Sequence, residues 1–139
     1  MTRIADICDR LRRDTDLPVV LDTAYAAYEL LLSAIEEHQD PASGTFVPYV
    51  YAATLAADGR DAILFAPSLP VCQLRPVDAV TNGRGSASTV DDLVALSEVL
   101  CHVLTSAAGA VPDQGDAAAC HNAARCAAAV HRLLTGVEP

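Results

Sequence analysis

Residues 49–66 read YVYAATLAADGRDAILFA, and the reading of this stretch decides the fold class. Asp58-Gly59 is a pair that favours a two-residue hairpin turn, and the flanking runs are apolar enough to be strands. The alanines argue the other way. AATLAA at 52–57 is a strong helix former and a poor strand former. The helical reading predicts a helix over 45–57, capped by Thr45, with Pro48 in its first turn and Phe46, Tyr49, Val50 and Ala53 on one side. Gly59 then ends it, and a further short helical turn covers Asp61–Phe65. The alternative, a hairpin over 46–66, would place a sheet in the molecule.

On the C-terminal side, residues 66–88 form a long connection, broken by prolines at 67, 70 and 76 and by Asn82-Gly83-Arg84-Gly85-Ser86. Loops beyond ~15 residues are uncommon in compact domains. This one is either functional or a crossover between two helical hairpins. A helix follows over 90–109, with Thr89 as cap, Asp91 and Asp92 at the positive end of its dipole, and a stripe of Leu93, Leu96, Leu100, Val103, Leu104 and Ala107. A turn near 111–112 leads into a helix over 114–135, opened by Asp113 and Asp116 and stopped by Gly136.

On the N-terminal side, a helix is expected over 17–38. Asp16 is its cap, Pro18 lies in its first turn, and Ala24, Ala27, Tyr28, Leu31 and Ile35 form its stripe. A short helix over 3–14, with Thr2 as cap, carries Ile4, Ile7, Cys8 and Leu11 at helical spacing. Long helices joined by short turns pack as neighbours of opposite direction. The expected fold is therefore a single all-α domain over 1–139. It is an antiparallel four-helix bundle with an additional short N-terminal helix and a long loop between the two hairpins.

Eighteen acids face nine arginines, with no lysine, giving a net charge of −9. Such a surface repels phosphate backbones, so nucleic acid is not an expected partner. No window approaches ~18 unbroken apolar residues, and the N-terminus lacks the apolar core of an export signal, so neither a membrane span nor secretion is expected. With a cytoplasmic location, the five cysteines stay reduced and read as small buried hydrophobes. The chain is alanine-rich: much of its 52% hydrophobic content is methyl groups, which bury little area each. Association with a second copy would compensate.

Two dipeptides, Cys101-His102 and Cys120-His121, fall at one level if the last two helices pair. Successive helix residues differ by ~100°, so cysteine and histidine of one pair cannot both face inward. His102 is expected to be wet, Cys101 at the core's edge, and His121 on a solvated strip with Arg125 and Arg132. A thiol or metal site would use Cys101 and Cys120. Structural zinc wants four N or S ligands, and His131 lies about 16 Å along the axis from Cys120, too far to share its ion. No metal or other cofactor is expected.

Arg125 and His131, with five residues between them, resemble the Arg-to-His spacing of HEPN-type ribonucleases, helical bundles that dimerise. The resemblance implies RNA cleavage by those two residues. Cys126 stands where that family usually has a polar residue after the arginine. On a continuous helix the two side chains point ~120° apart. Elsewhere, Glu29 lies among Tyr25, Tyr28, Leu30 and Leu31, a setting that could bury a carboxyl. Tyr28 and Tyr49 could line a small-molecule cavity. Phosphate-loop, nucleophile-elbow, HExxH and EF-hand patterns are absent. The expected function is a non-enzymatic interaction or small-ligand-binding module acting as a homodimer. Tyr28, Glu29, Tyr49, Cys101 and Cys120 are its candidate ligand-binding residues, and a protein or small molecule is a further partner.

Overall fold

A computed structural model describes residues 4–38, 46–69 and 89–136. These contain five helices and no strand: α1 (Ile4–Arg13), α2 (Leu17–Glu37), α3 (Phe46–Leu64), α4 (Val90–Ala110) and α5 (Gln114–Thr135). The protein is all-α. The caps expected at Thr2 and Thr45, Cys72, and most of the 66–88 connection lie outside the described residues.

The 49–66 stretch is one uninterrupted helix up to Leu64. α3 runs through Asp58-Gly59, where a stop was expected. Gly59 does not adopt the left-handed backbone of a helix stop; among the described residues only Gly136 does, with φ of 75°. The reason for Gly59 is steric. A Cβ there would lie 2.5 Å from Cε1 and Cζ of Tyr28, so the missing methyl is what lets the Tyr28 ring lie against α3. A glycine inside a helix costs about 1 kcal/mol relative to alanine, and here it admits a large buried side chain. Past Leu64 the chain turns through single-turn bonds, Phe65 N–H to Ala62 O and Ala66 N–H to Ile63 O.

The other helices follow local rules closely. Thr89 and Asp92 form a reciprocal capping box at 3.1 Å in both directions. Asp113 accepts from the Asp116 N–H at 2.8 Å, and Gly136 closes α5 by donating to Arg132 and Leu133. Asp16 sits at the α2 N-cap position but its side chain makes no capping bond. Pro18 in that first turn has no N–H to offer it.

α4 packs on α5, α5 on α3 and α3 on α2, while α1 lies against α4 and α2. One core joins all five, with Leu11, Leu21, Leu31, Ile35, Ile63, Leu93, Leu96, Leu100, Leu104 and Val130 fully or almost fully buried. The stripes expected for α1 and α2 are all inside. Leu30 is buried and Leu32 packs against the core. The exposed large apolar side chains among the described residues are Val19 of α2 and, on α3 and the turn after it, Val50, Tyr51, Leu64 and Phe65. Measured over 18-residue windows that tolerate two charges, α2 and α4 are long and apolar enough to cross a membrane by length and composition alone. More than half of the α2 window is buried in the fold, 56%, and a third of the α4 window, 33%.

Candidate functional site

Among the described residues, Tyr28 is the most deeply set aromatic side chain. Its ring is fully buried between Gly59 of α3 and α5, and its hydroxyl donates to the Ala123 carbonyl of α5. Burial, then the nearby Cys126 and Cys101 thiols, push its ionisation strongly upward. It is a neutral pin through three helices, and its surroundings are filled by Gly59 and Ala123. Tyr49 is elsewhere, edge-on to His38 with ring centroids 6.4 Å apart. Ten residues separate Tyr28 from His38 along α2, and Tyr49 from Gly59 along α3, so about 15 Å of helix divides the two tyrosines. Neither lines the grooves described below.

Glu29 lies on a polar seam between α2 and α3. Its carboxylate meets the Arg60 guanidinium at 3.5 Å, and Arg60 Nε donates to Asp61 at 3.1 Å. Tyr25 completes the group. Burial, then the charge of Glu29 and the hydrogen bond to it, raise the Tyr25 hydroxyl above its ordinary range. This is an ion-paired seam at the edge of the core, and the carboxylate of Glu29 has its partner there.

Cys101 is half-buried and Cys120 buried, and both are free thiols. His102, His121 and Arg125 are exposed, as the helical arithmetic expects. The thiols gathered near Tyr28 are Cys101 and Cys126, and Cys126 is the member the sequence reading missed. Burial raises Cys8, Cys120 and Cys126, keeping them protonated and poorly nucleophilic. Among the described residues no three or more His, Cys, Asp or Glu side chains are grouped to hold a metal.

Arg125 is exposed at a surface groove between α3 and α5, of about 490 Å³, which it lines with Leu55, Asn122, Cys126, Ala128, Ala129 and Arg132. His131 is half-buried and is not part of that lining. A second groove on the same seam, about 460 Å³, is lined by Asp58, Asp61, Ala62 and Phe65 on one side and by Gly115, Ala118, Ala119 and Asn122 of α5 on the other. Asn122 lines both, so the two depressions adjoin along one seam, together called the trough below. Its α3 wall is Leu55, Asp58, Ala62 and Phe65, and the same helical stripe continues to Tyr51, about one turn beyond the lining residues. Phe65 is 81% exposed and Tyr51 61%. Two exposed rings thus mark the ends of one α3 stripe, beside glycine and alanine residues of α5. That stripe is legible in the sequence only when α3 is carried through Gly59.

One buried acid also escaped the sequence reading. Asp116 accepts from the Ser68 backbone N–H at 2.9 Å and its hydroxyl at 2.6 Å, tying the turn after α3 to the first turn of α5.

Comparisons with protein-family models, curated proteins and solved structures return no match.

Proposed function

We propose that the chain is an antiparallel four-helix bundle with α1 laid along one side, and that it works by association as a homodimer without catalysing a reaction. Antiparallel packing is supported by residue numbers. Tyr28 meets Gly59 and His38 meets Tyr49, and both pairs sum to 87, as neighbours of opposite direction must. Three residues, 111–113, join α4 to α5, too few for anything but a tight reversal.

The observation that carries association is the exposed ring of Phe65 in a trough of small side chains, with the exposed ring of Tyr51 further along the same α3 stripe. Exposed aromatic residues beside close-approach surface are a usual composition of contact sites. The arrangement does not favour catalysis. Tyr28 and the buried thiols of Cys8 and Cys120 are held neutral and away from solvent, Asp116 is engaged by Ser68, and Glu29 is ion-paired. A net charge of −9 speaks against a nucleic-acid partner. Free, protonated thiols accord with a cytoplasmic setting.

Size-exclusion chromatography with light scattering is the test. The expected particle has twice the 14.5 kDa chain mass. A species that stays at the single-chain mass up to millimolar concentration overturns the homodimer.

A further inference from the structure

We infer that the trough between α3 and α5 is the docking face for a second copy of this chain, laid across it in reverse direction so that acidic positions of one copy meet arginines of the other. The inference rests on the homodimer reading and adds the face and its register.

The register follows from the trough itself. Residues 58–65 line one groove with 115–122, and Leu55 lines the other with 122–132, ranges that accord with antiparallel neighbours whose facing numbers sum to about 180. Charge is distributed unevenly along it. Asp58 and Asp61 stand on the Phe65 side, Arg125 and Arg132 on the Tyr51 side. Neither arginine makes a salt bridge among the described residues, and Asp58 makes none either. The trough is therefore a dipolar strip with unsatisfied charge of both signs, on a chain otherwise dominated by acids.

A closed two-fold contact must present the same patch twice. Placing the axis across the helices at the level of Asp58 reverses the strip. The reversed strip brings Phe65 of the second copy to the level of Tyr51 and Ala129. It brings Asp61 of the second copy to the level of Arg125. The two Asp58 carboxylates then lie near the axis with an Arg125 on each side, so the like charges are flanked by opposite ones. A parallel arrangement, with the axis along the helices, would leave the acids of both copies at one level. Charge thus selects the reversed arrangement. The ring ends, at seven residues on either side of Asp58, fit the same axis.

The test is a charge exchange on two trough residues. Asp58→Arg and Arg125→Asp are made separately, and folding is checked by circular dichroism. Alone, each variant leaves positions 58 and 125 of both copies with a single sign of charge, and dimer affinity falls by at least tenfold. Mixed, the two variants again set opposite charges wherever position 58 of one copy meets position 125 of the other, and a heterodimer of near wild-type affinity forms. Phe65→Ala weakens association without altering its salt dependence. A wild-type dimer indifferent to all three substitutions overturns this face and leaves homodimerisation standing. Variants that weaken singly but are not rescued by mixing overturn the reversed register. A monomeric wild type overturns both readings and gives the trough to a different protein.

Discussion

Replacing Gly59 with alanine asks whether α3 passes Gly59 for helical propensity or for the ring behind it. Propensity alone implies a gain of about 1 kcal/mol, since alanine is the better helix former. The structure implies the opposite sign. The added methyl would stand 2.5 Å from Cε1 and Cζ of Tyr28 and 2.9 Å from its hydroxyl oxygen. Tyr28 has no exposed side toward which to retreat, because its residue exposure is 0%. Overpacking of this kind costs about 1–3 kcal/mol. A shift of the ring also loosens the hydroxyl's bond to Ala123 O, leaving buried polar groups poorly paired at about 1–3 kcal/mol. Against the propensity gain, the net is a loss of about 2 kcal/mol, roughly 5–10 °C in melting temperature for a domain this size. Urea unfolding followed by helical circular dichroism measures it. Tyr28→Leu supplies the control, because without the ring Gly59→Ala should become neutral or favourable, a coupling visible in a double-mutant cycle. If Gly59→Ala stabilises the protein with Tyr28 intact, the close approach is not real and the account of α3 fails.

Asp116→Ala removes the acceptor for both Ser68 donors and should cost about 2–3 kcal/mol, with faster hydrogen exchange at the Ser68 amide; unchanged exchange there would refute the clamp. Thr89→Ala abolishes the capping box and should cost about 1 kcal/mol in urea unfolding, and a loss below a few tenths would show that α4 is held by packing alone. Stability should fall as pH rises above about 9, the ordinary thiol value, because burial raises Cys8, Cys120 and Cys126 in the fold, so that the unfolded chain releases those protons first. With no lysine in the chain, urea midpoints that stay level between about pH 8 and pH 10.5 would contradict the burial of these thiols.

The parts of the fold legible in the sequence are those whose cause lies within one helix. The stripe of Ile4, Ile7, Cys8 and Leu11 alternates with charged residues and orients α1 unambiguously. Thr89, Asp113 and Gly136 mark helix ends because caps act on backbone groups three or four residues away. What escaped the reading depends on distant partners. Asp58-Gly59 carries a strong turn signal, and the contact that overrides it comes from Tyr28, thirty-one residues back. α3 has apolar residues on every side, so periodicity could not tell that Val50 faces out. In sequence Asp116 is an acid placed for the helix dipole, yet its partner Ser68 is forty-eight residues away. The candidate site is limited in the same way. The sequence points to Tyr28 as a cavity wall, whereas the ring fills the space itself. The Tyr51–Phe65 stripe is invisible once the helix is stopped at Gly59.

The composition of the interior is an argument for the proposed self-contact at the outer trough. Inside, Gly59 and Ala123 leave a seam thin enough for the ring of Tyr28 to pass between helices. Outside, Gly115, Ala118, Ala128 and Ala129 repeat that composition along the trough face of α5, with the rings of Tyr51 and Phe65 on the neighbouring stripe. A bundle built largely from alanine buries little area per residue, so each ring carries a disproportionate share of the apolar contact. Leaving two such rings in water is costly for a chain with so few aromatic residues, 4% of the total. A second copy supplies matching rings and matching small-residue floors at once, and needs no chemistry beyond what this sequence already contains. Any other partner must bring an aromatic or aliphatic ridge flanked by charge of both signs. That requirement separates a self-contact from a general sticky patch: detergent or an unrelated apolar peptide would cover the rings but leave Arg125 and Arg132 unanswered.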